Sequence, residues 1–489
     1  MYSTENFNQS TFKPAYFEAT GVLPLHGKDI PYRTVAEDTA FYDPTGKAIA
    51  TIFSYSYFRT DVEDTASRPV LFCYNGGPGG CSMYVHAGFL GAKRICYGEP
   101  NRPDALPPYQ VIDNPDCLLD IADLVMIDPV GTGYGLLIDD ACANQFFGIE
   151  EDAEALLYFI EKWLHKHNRW LSPKYLVGES YGCTRNAVAA GMASGRSAHR
   201  SFNIAFDGIV NIGNTITVGK YFNREIPVEP AVLAFPTYAA INWYHNHPSQ
   251  QTLEEFTQEA KHFADTEYML ALYRDESMTQ SEKDAVIDRI HYYTGASIEY
   301  IRSHDMRFDD PSYRSDVIKD KGEAVARFDA RITRPVYTPE QVELTAGMRD
   351  DASSDRYGAY YRAAVNGVIY PSMNITLDRT YVTSYGMWNP ESKKSKWNNE
   401  APLGTTGEQL RSAMYKTPGM RVFFANGWFD MATYTGIVYY TLDHAGLPKD
   451  RIAFKRYASG HMIYIGEDNC KELCGDIRSF ITGGMPENG

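Results

Sequence analysis

The 489-residue sequence lacks any apolar run long enough to cross a membrane, and its first residues, MYSTENFNQSTFKPAYFE, are polar. A membrane span needs about 20 consecutive apolar residues, and a secretory leader starts with basic residues followed by an apolar stretch. The chain also lacks a basic block: 46 Lys and Arg stand against 62 Asp and Glu, which gives a net charge of −16. We therefore expect no membrane partner, no nucleic-acid partner and a cytoplasmic location, with export behind a removed leader left open.

Cysteine is sparse, with eight residues in the whole chain. No C-x-x-C pair and no Cys/His cluster has the spacing of a zinc site, so we expect no metal and no cofactor. Cys470 and Cys474 lie four residues apart in a predicted helix, where two small core residues are a simpler interpretation than a disulfide. Two close histidine pairs are interpreted as solvated helix or loop residues: His165/His167 and His245/His247.

What the chain does contain is an alternation of strand-like apolar runs with helical patterns up to residue 217, and again from residue 401. This alternation predicts a mostly parallel sheet flanked by helices. Between residues 218 and 400, amphipathic helices follow one another without strands, and MWNPESKKSKWNNEAP has the composition of a polar loop. We predict one α/β core, formed by residues 1–217 and 401–489, interrupted by a mainly helical insertion over residues 218–400.

The stretch KYLVGESYG places Ser180 between two glycines, after an apolar run and before a helical pattern. G-x-S-x-G by itself also fits an ordinary turn serine. At the junction of a strand and a helix, however, it is typical of a nucleophile elbow. Serine is a weak nucleophile, so this interpretation requires a histidine base and a carboxylate that orients it.

Asp430 and His461 supply those two groups. Each follows a predicted strand, where ligands bind in open α/β sheets, and the chain order Ser, Asp, His is that of α/β-hydrolases. Taken singly, Asp430 could cap a helix and His461 could lie in a turn. Together with Ser180, they favour a catalytic triad.

A glycine-rich loop, NGGPGG, follows the predicted strand VLFCY. Bare glycines let backbone N–H groups approach an oxyanion closely. A phosphate cradle is the rival interpretation, but no G-K-[ST] follows the loop and the chain is acidic. The loop therefore favours an oxyanion hole.

Five motifs in one chain order, NGGPGGCS, DPVGTGYG, GESYG, NGWFDMAT and SGH, resemble the serine carboxypeptidase family and suggest a bacterial-type member. The resemblance runs from Phe72 to the C terminus and leaves out the insertion. It implies an α/β-hydrolase fold, in which a mostly parallel central sheet is flanked by helices and the insertion is a helical cap. It also implies hydrolysis of C-terminal peptide bonds through an acyl-enzyme.

The resemblance assigns roles to particular residues. It implies a triad of Ser180, Asp430 and His461. It implies oxyanion donors in the backbone N–H groups of Gly77 and Tyr181. It implies a clamp for the substrate's terminal carboxylate, formed by the Asn75 side chain, the Gly76 N–H and the Glu179 carboxyl group.

Two departures from the better-known eukaryotic members affect the clamp region. Gly80 separates the P-G dipeptide from Cys81, and HAGFLGAKRI contains no glutamate that could share a hydrogen bond with Glu179. An ionised Glu179 would repel a substrate carboxylate, so we expect Glu179 to bind best when protonated. The missing neighbour argues against a strongly acidic pH optimum.

The expected partners are peptide substrates with a free C terminus, and a homodimer is left open. An esterase or acyltransferase that uses the same triad is the alternative function, and a catalytically silent binding protein is a third. Retention of both Asn75 and Glu179 favours a substrate with a free carboxylate.

Overall fold

The computed structural model describes residues 12–97, 107–196, 201–219, 226, 228–336, 351–385, 388–389, 394–395, 397–398 and 404–486. Within these residues the strands are β1 (Tyr16–Leu25), β2 (Lys28–Tyr42), β3 (Ala48–Arg59), β4 (Val70–Tyr74), β5 (Lys93–Ile95), β6 (Val111–Asp113), β7 (Asp123–Asp128), β8 (Leu136–Leu137), β9 (Lys174–Glu179), β10 (Gly208–Ile212), β11 (Glu323–Val325), β12 (Thr333–Pro335), β13 (Trp388–Asn389), β14 (Lys394–Ser395), β15 (Arg421–Gly427) and β16 (Ile452–Tyr457).

The α-helices of the same residues are α1 (Met83–Val85), α2 (Ile149–Lys166), α3 (Tyr181–Gly191), α4 (Pro230–Asn246), α5 (Leu253–Phe263), α6 (Met269–Arg274), α7 (Gln280–Thr294), α8 (Ile298–Ser303), α9 (Asp310–Asp316), α10 (Ala352–Ala364), α11 (Tyr370–Ser372), α12 (Thr406–Lys416), α13 (Thr435–His444) and α14 (Glu467–Ile481). Wider, π-helical turns extend four of them, at His86–Leu90, Met192–Arg196, Ala264–Tyr268 and Val365–Ile369.

The central sheet has the strand order β1-β2-β3-β7-β4-β9-β10-β15-β16, and β8 pairs with β3. The strands from β7 to β16 in this order are parallel, whereas β1, β2 and β3 form an antiparallel edge that joins β7. Strands β4, β7, β9 and β10 are buried along their whole length, as expected when helices cover both faces of a parallel sheet. The prediction of a mostly parallel sheet flanked by helices is confirmed.

Helices α2, α3 and α12 pack on one face of the sheet. Helix α14 and the region of α10 pack on the other face. A third apolar cluster lies among helices α4 to α9 and joins the loop that follows β15. These helices belong to the segment predicted as an insertion, whose boundaries at 218 and 400 stay a prediction.

The N-terminal strands β1 and β2 were not predicted, because β2 carries charged and polar residues along much of its length. The structure buries Glu37 against Lys166 and His167, and Asp38 against Arg379 at 2.8 Å. Carboxylates paired in this way can occupy a buried strand.

The interpretation of the two histidine pairs as solvated residues was wrong for one member of each pair. His167 is not solvated: its Nε2 lies 3.1 Å from Glu37, and its ring packs against Trp163. His245 Nε2 lies 2.6 Å from the Ala330 carbonyl oxygen, whereas the other member of each pair is exposed.

The segment predicted as a polar loop contains the short β13–β14 pair and the buried Trp397, whose ring meets the edge of Tyr181. The rest of that segment lies outside the described residues. Cys470 and Cys474 are both buried, unbridged residues of α14, as predicted. Among the described helices, none is long and apolar enough to span a membrane.

Candidate active site

Ser180 occupies a sharp turn between β9 and α3, with backbone angles φ 58° and ψ −126°. A non-glycine residue seldom adopts a positive φ, because its Cβ crowds the backbone, and such strain concentrates at functional sites. The flanking glycines make the turn possible, since a Cβ on Gly178 would clash with the Gly182 carbonyl group. The Ser180 N–H donates to the Ile212 carbonyl oxygen at 2.8 Å. The turn leaves Ser180 partly exposed at the carboxyl edge of the sheet, which is the geometry of a nucleophile elbow.

Asp430 and His461 meet beside this turn. His461 Nδ1 lies 2.7 Å from Asp430 Oδ2, and Asp430 is fully buried. The backbone N–H groups of Ala432 and Thr433 donate to Asp430 Oδ1 at 2.7 and 2.9 Å, and the Thr433 hydroxyl donates to Oδ2. Asp430 therefore caps a turn and also orients the imidazole. A capping residue and a triad carboxylate, the two interpretations of Asp430 from the sequence, are thus compatible.

The pKa of His461 is raised above its usual value. Burial disfavours the imidazolium, but the charge of Asp430 and its hydrogen bond outweigh burial, and the charge of Glu179 acts in the same direction. A general base must be neutral to accept a proton. The imidazole is therefore held in the correct orientation by a carboxylate that also makes it a stronger base.

Ser180 and His461 line one cavity of about 550 Å³, which also exposes Asn75, Gly76 and Gly77. Asp430 lies behind the imidazole and does not reach the cavity wall. The structure therefore brings together the three residues predicted as a triad.

The glycine-rich loop after β4 passes directly over the start of α3. A Cβ on Gly76 would clash with the Tyr181 backbone nitrogen and would lie 2.7 Å from the Glu179 carbonyl oxygen. Gly77 has a φ of 116°, which favours glycine. The loop is tied down by the Tyr385 N–H, which donates to the Gly79 carbonyl oxygen at 2.8 Å. The N–H groups of Gly77 and Tyr181 thus lie on neighbouring segments beside the nucleophile, as an oxyanion hole requires.

Asn75 and Glu179, the predicted clamp, are in direct contact. Asn75 Nδ2 donates to Glu179 Oε1 at 2.8 Å, and Asn75 Oδ1 accepts from the Val85 N–H at 3.0 Å. The Asn75 carbonyl oxygen accepts from Arg185 Nη1 at 2.8 Å, and Arg185 is itself paired with the buried Asp152 at 2.6 Å. A buried ion pair on the helices below thereby fixes the position of the clamp.

Tyr464 is a site residue that sequence reasoning missed. Its hydroxyl donates to Glu179 Oε2 at 2.6 Å, and the residue is fully buried. No local pattern links this tyrosine to a glutamate 285 residues away. The only available signal is its position three residues after His461.

The pKa of Glu179 is raised to about 7, chiefly because the carboxyl group is buried. The positive charge of His461 and the hydrogen bonds from Tyr464 and Asn75 act in the opposite direction and limit this rise. A carboxyl group with such a pKa is partly protonated at neutral pH and can donate a hydrogen bond.

A mostly parallel sheet with a serine elbow and a His–Asp pair at its carboxyl edge defines a hydrolase of the α/β-hydrolase class. The family model described as serine carboxypeptidase matches residues 41–433. The chain therefore belongs to the serine carboxypeptidase family and is a serine-type carboxypeptidase. Ser180 and Asp430 lie inside the matched residues, whereas His461 lies beyond them and is placed at the site by the structure.

A solved structure of a carboxypeptidase agrees on the fold. Kex1ΔP, a prohormone-processing carboxypeptidase from Saccharomyces cerevisiae, is 14% identical, with 93% of this chain and 91% of that chain covered and a TM-score of 0.54. The peroxisomal α/β-hydrolase Lpx1 from the same yeast is 10% identical, with coverage of 98% and 93% and a TM-score of 0.35. A search of curated protein sequences found no match. The predicted α/β-hydrolase fold is confirmed.

Proposed function

We propose that this protein removes C-terminal residues from peptides through an acyl-enzyme formed on Ser180. The observation that carries the proposal is the Asn75–Glu179 pair, which lies in the same cavity as the serine and the imidazole. A carboxyl group with a raised pKa beside a serine nucleophile is suited to bind a second carboxylate, which an endopeptidase or a simple esterase does not need.

The catalytic steps use the contacts of the site. His461 Nε2 accepts the Ser180 proton as Oγ attacks the scissile carbonyl carbon, and Asp430 holds the Nδ1–H. The N–H groups of Gly77 and Tyr181 stabilise the oxyanion, where such donors typically contribute about 3–4 kcal/mol. The imidazolium then protonates the leaving amine. Water attacks the acyl-enzyme with the same proton transfers and restores Ser180.

Substrate binding uses the clamp. The terminal carboxylate accepts hydrogen bonds from the Asn75 amide, the Gly76 N–H and a protonated Glu179. An ionised Glu179 repels the substrate, so peptide acids bind more weakly as pH rises through the pKa of Glu179 near 7.

We further propose that the segment over residues 218–400 acts as a cap. It supplies Phe328, Ser354 and Thr383 to the lining of the cavity that contains Ser180 and His461. The bacterial-type assignment also stays a proposal, supported by Gly80 in the oxyanion loop and by a tyrosine, rather than a carboxyl group, as the second partner of Glu179.

The test is hydrolysis of N-blocked dipeptide acids and their C-terminal amides at several pH values. The acid should be cleaved much faster than the amide, and KM for the acid should climb above neutrality before kcat falls. Glu179→Gln donates a hydrogen bond at every pH and should flatten the KM profile. Equal rates on the acid and the amide would refute the clamp and favour the esterase alternative.

A further inference from the structure

The catalytic cavity exposes one charged residue that the proposed mechanism does not use, Arg327. It lies in the loop between β11 and β12, and this loop is joined to the triad. The His461 N–H donates to the Phe328 carbonyl oxygen at 2.6 Å, and the Met431 N–H donates to the Arg327 carbonyl oxygen at 3.0 Å. The Arg327 guanidinium lies over the Phe328 ring at 5.5 Å, and that ring packs against the His461 imidazole at 5.3 Å. One aromatic ring therefore separates this guanidinium from the catalytic base.

The guanidinium of Arg327 has no ion-pair or hydrogen-bond partner within the described part of the chain. Asp351 contacts the same loop, but its Oδ2 accepts the Arg327 backbone N–H at 2.5 Å. Its Oδ1 accepts the N–H groups of Ser353 and Ser354 at 3.1 and 3.2 Å, and so caps α10. An arginine that faces a cavity and is not paired with a protein carboxylate among the described residues is a ready binding group for a ligand carboxylate, because its planar fork forms bidentate, charge-assisted hydrogen bonds.

Helix α10 connects Arg327 to the clamp side of the cavity. Ser354, in its first turn, lines the cavity. Further along α10, Tyr361 packs against Tyr84 with ring centroids 4.9 Å apart, and Tyr84 also lines the cavity. Arg327 and the clamp thus line the same cavity. Since the clamp takes the α-carboxylate of the terminal residue, the side chain of that residue extends into the cavity that Arg327 lines.

We propose that Arg327 binds the side-chain carboxylate of a C-terminal Asp or Glu, so that the enzyme prefers peptides with an acidic last residue. The inference rests on the proposed carboxypeptidase function and names its substrate class. The same cavity offers hydroxyl groups from Ser354, Thr383 and Ser384, which suit a polar side chain. Among the described lining residues, the carboxyl group is that of Glu179, and it is already assigned to the α-carboxylate.

The test compares kcat/KM for N-blocked dipeptide acids with Phe as the first residue and Glu, Gln or Lys as the last. The Glu substrate should be preferred over the Gln substrate by about ten- to hundredfold, as expected for one hydrogen-bonded charge pair. Arg327→Gln should abolish this preference, because it should lower kcat/KM for the Glu substrate by far more than for the Gln substrate. Arg327→Glu should favour the Lys substrate. Arg302→Gln is the matched control, because Arg302 is an exposed arginine on α8 that pairs with Asp284 and should leave the preference intact.

Two outcomes would overturn the proposal: equal rates on the Glu and Gln substrates in the parent, or an equal loss on both in Arg327→Gln. An equal loss on both substrates would mean that the guanidinium binds the α-carboxylate or supports the loop. A failure of the carboxypeptidase function looks different, because the parent would then cleave no peptide acid faster than its amide. Backbone groups hold the loop, so Arg327→Gln should melt at the parent temperature, which a thermal scan checks.

Discussion

Removal of the Tyr464 hydroxyl tests what sets the pH at which Glu179 loses its proton. Tyr464 is buried, stacks on Phe89 with ring centroids 4.6 Å apart, and donates to Glu179 Oε2 at 2.6 Å. Tyr464→Phe keeps the ring and its packing, so the change is confined to one hydrogen bond. Asn75 still donates to the other carboxyl oxygen.

The expected effect follows from the energy of that hydrogen bond. A hydrogen bond to a charged group contributes about 1.5–3 kcal/mol, and one pKa unit corresponds to about 1.4 kcal/mol. The hydroxyl stabilises the ionised carboxylate more than the protonated acid, so its loss should raise the pKa of Glu179 from about 7 by one unit or more. The protonated form then persists to higher pH. KM for a peptide acid should begin to climb about one pH unit later than in the parent.

The assay is KM and kcat for one N-blocked dipeptide acid across pH 5 to 10, with the amide as reference. The rise of kcat at the acid end of the pH range reflects loss of the His461 proton, and the pH of this rise should change little. Tyr97→Phe is the matched control, because the Tyr97 hydroxyl bonds Tyr361 and the Gly88 carbonyl oxygen and should leave the KM limb in place. The reasoning would be refuted if KM of Tyr464→Phe began to climb at the same pH as in the parent, or at a lower pH.

Two other predictions concern the same site. We expect kcat to fall by about 10⁴-fold or more, without unfolding of the protein, in each of Ser180→Ala, Asp430→Asn and His461→Ala. The double variant Ser180→Ala/His461→Ala should be little worse than either single variant. Fluorophosphonate labelling that survives Ser180→Ala would contradict this prediction. Glu179→Gln should gain about 2 kcal/mol more in the free energy of unfolding at pH 8 than at pH 5. The folded state raises the pKa of Glu179 from 4.5 to about 7, so ionisation destabilises it increasingly between those values; an equal gain in urea unfolding at both pH values would contradict this.

The residues of the proposed triad could be predicted to meet because each has a local signal in the sequence. The glycines around Ser180 are required by the turn itself, and the glycines of the oxyanion loop are required by its close approach to the start of α3. Asp430 and His461 follow apolar strands that are recognisable from composition. Parallel strands bring their carboxyl ends to one edge, so residues far apart in sequence could be expected to meet.

The residues that tune the site could not be predicted, because their roles depend on distant partners. Tyr464 resembles any buried tyrosine until the fold brings the turn after His461 next to the end of β9, where its hydroxyl contacts Glu179. Arg327 lies in a mainly helical segment whose sequence shows no triad pattern, and only the fold brings its loop to His461. Strand β2 was missed for a related reason, since its carboxylates Glu37 and Asp38 are buried against partners more than 100 residues away.

The charges of His461 and Glu179 act on each other's pKa, and this interaction bears on how one site can meet two opposed demands. Catalysis needs a neutral imidazole, whereas carboxylate binding needs a protonated Glu179. The unproductive alternative, an imidazolium beside an ionised Glu179, holds the same number of protons, so pH alone does not choose between the two arrangements. Each charge stabilises the other, since Glu179 raises the pKa of His461 and His461 lowers that of Glu179. A substrate carboxylate in the clamp repels the ionised form of Glu179 most strongly, because it contacts that group directly. On the proposed function, we therefore expect binding to shift the shared proton onto Glu179 and to leave His461 neutral, so that a peptide acid prepares the base that cleaves it.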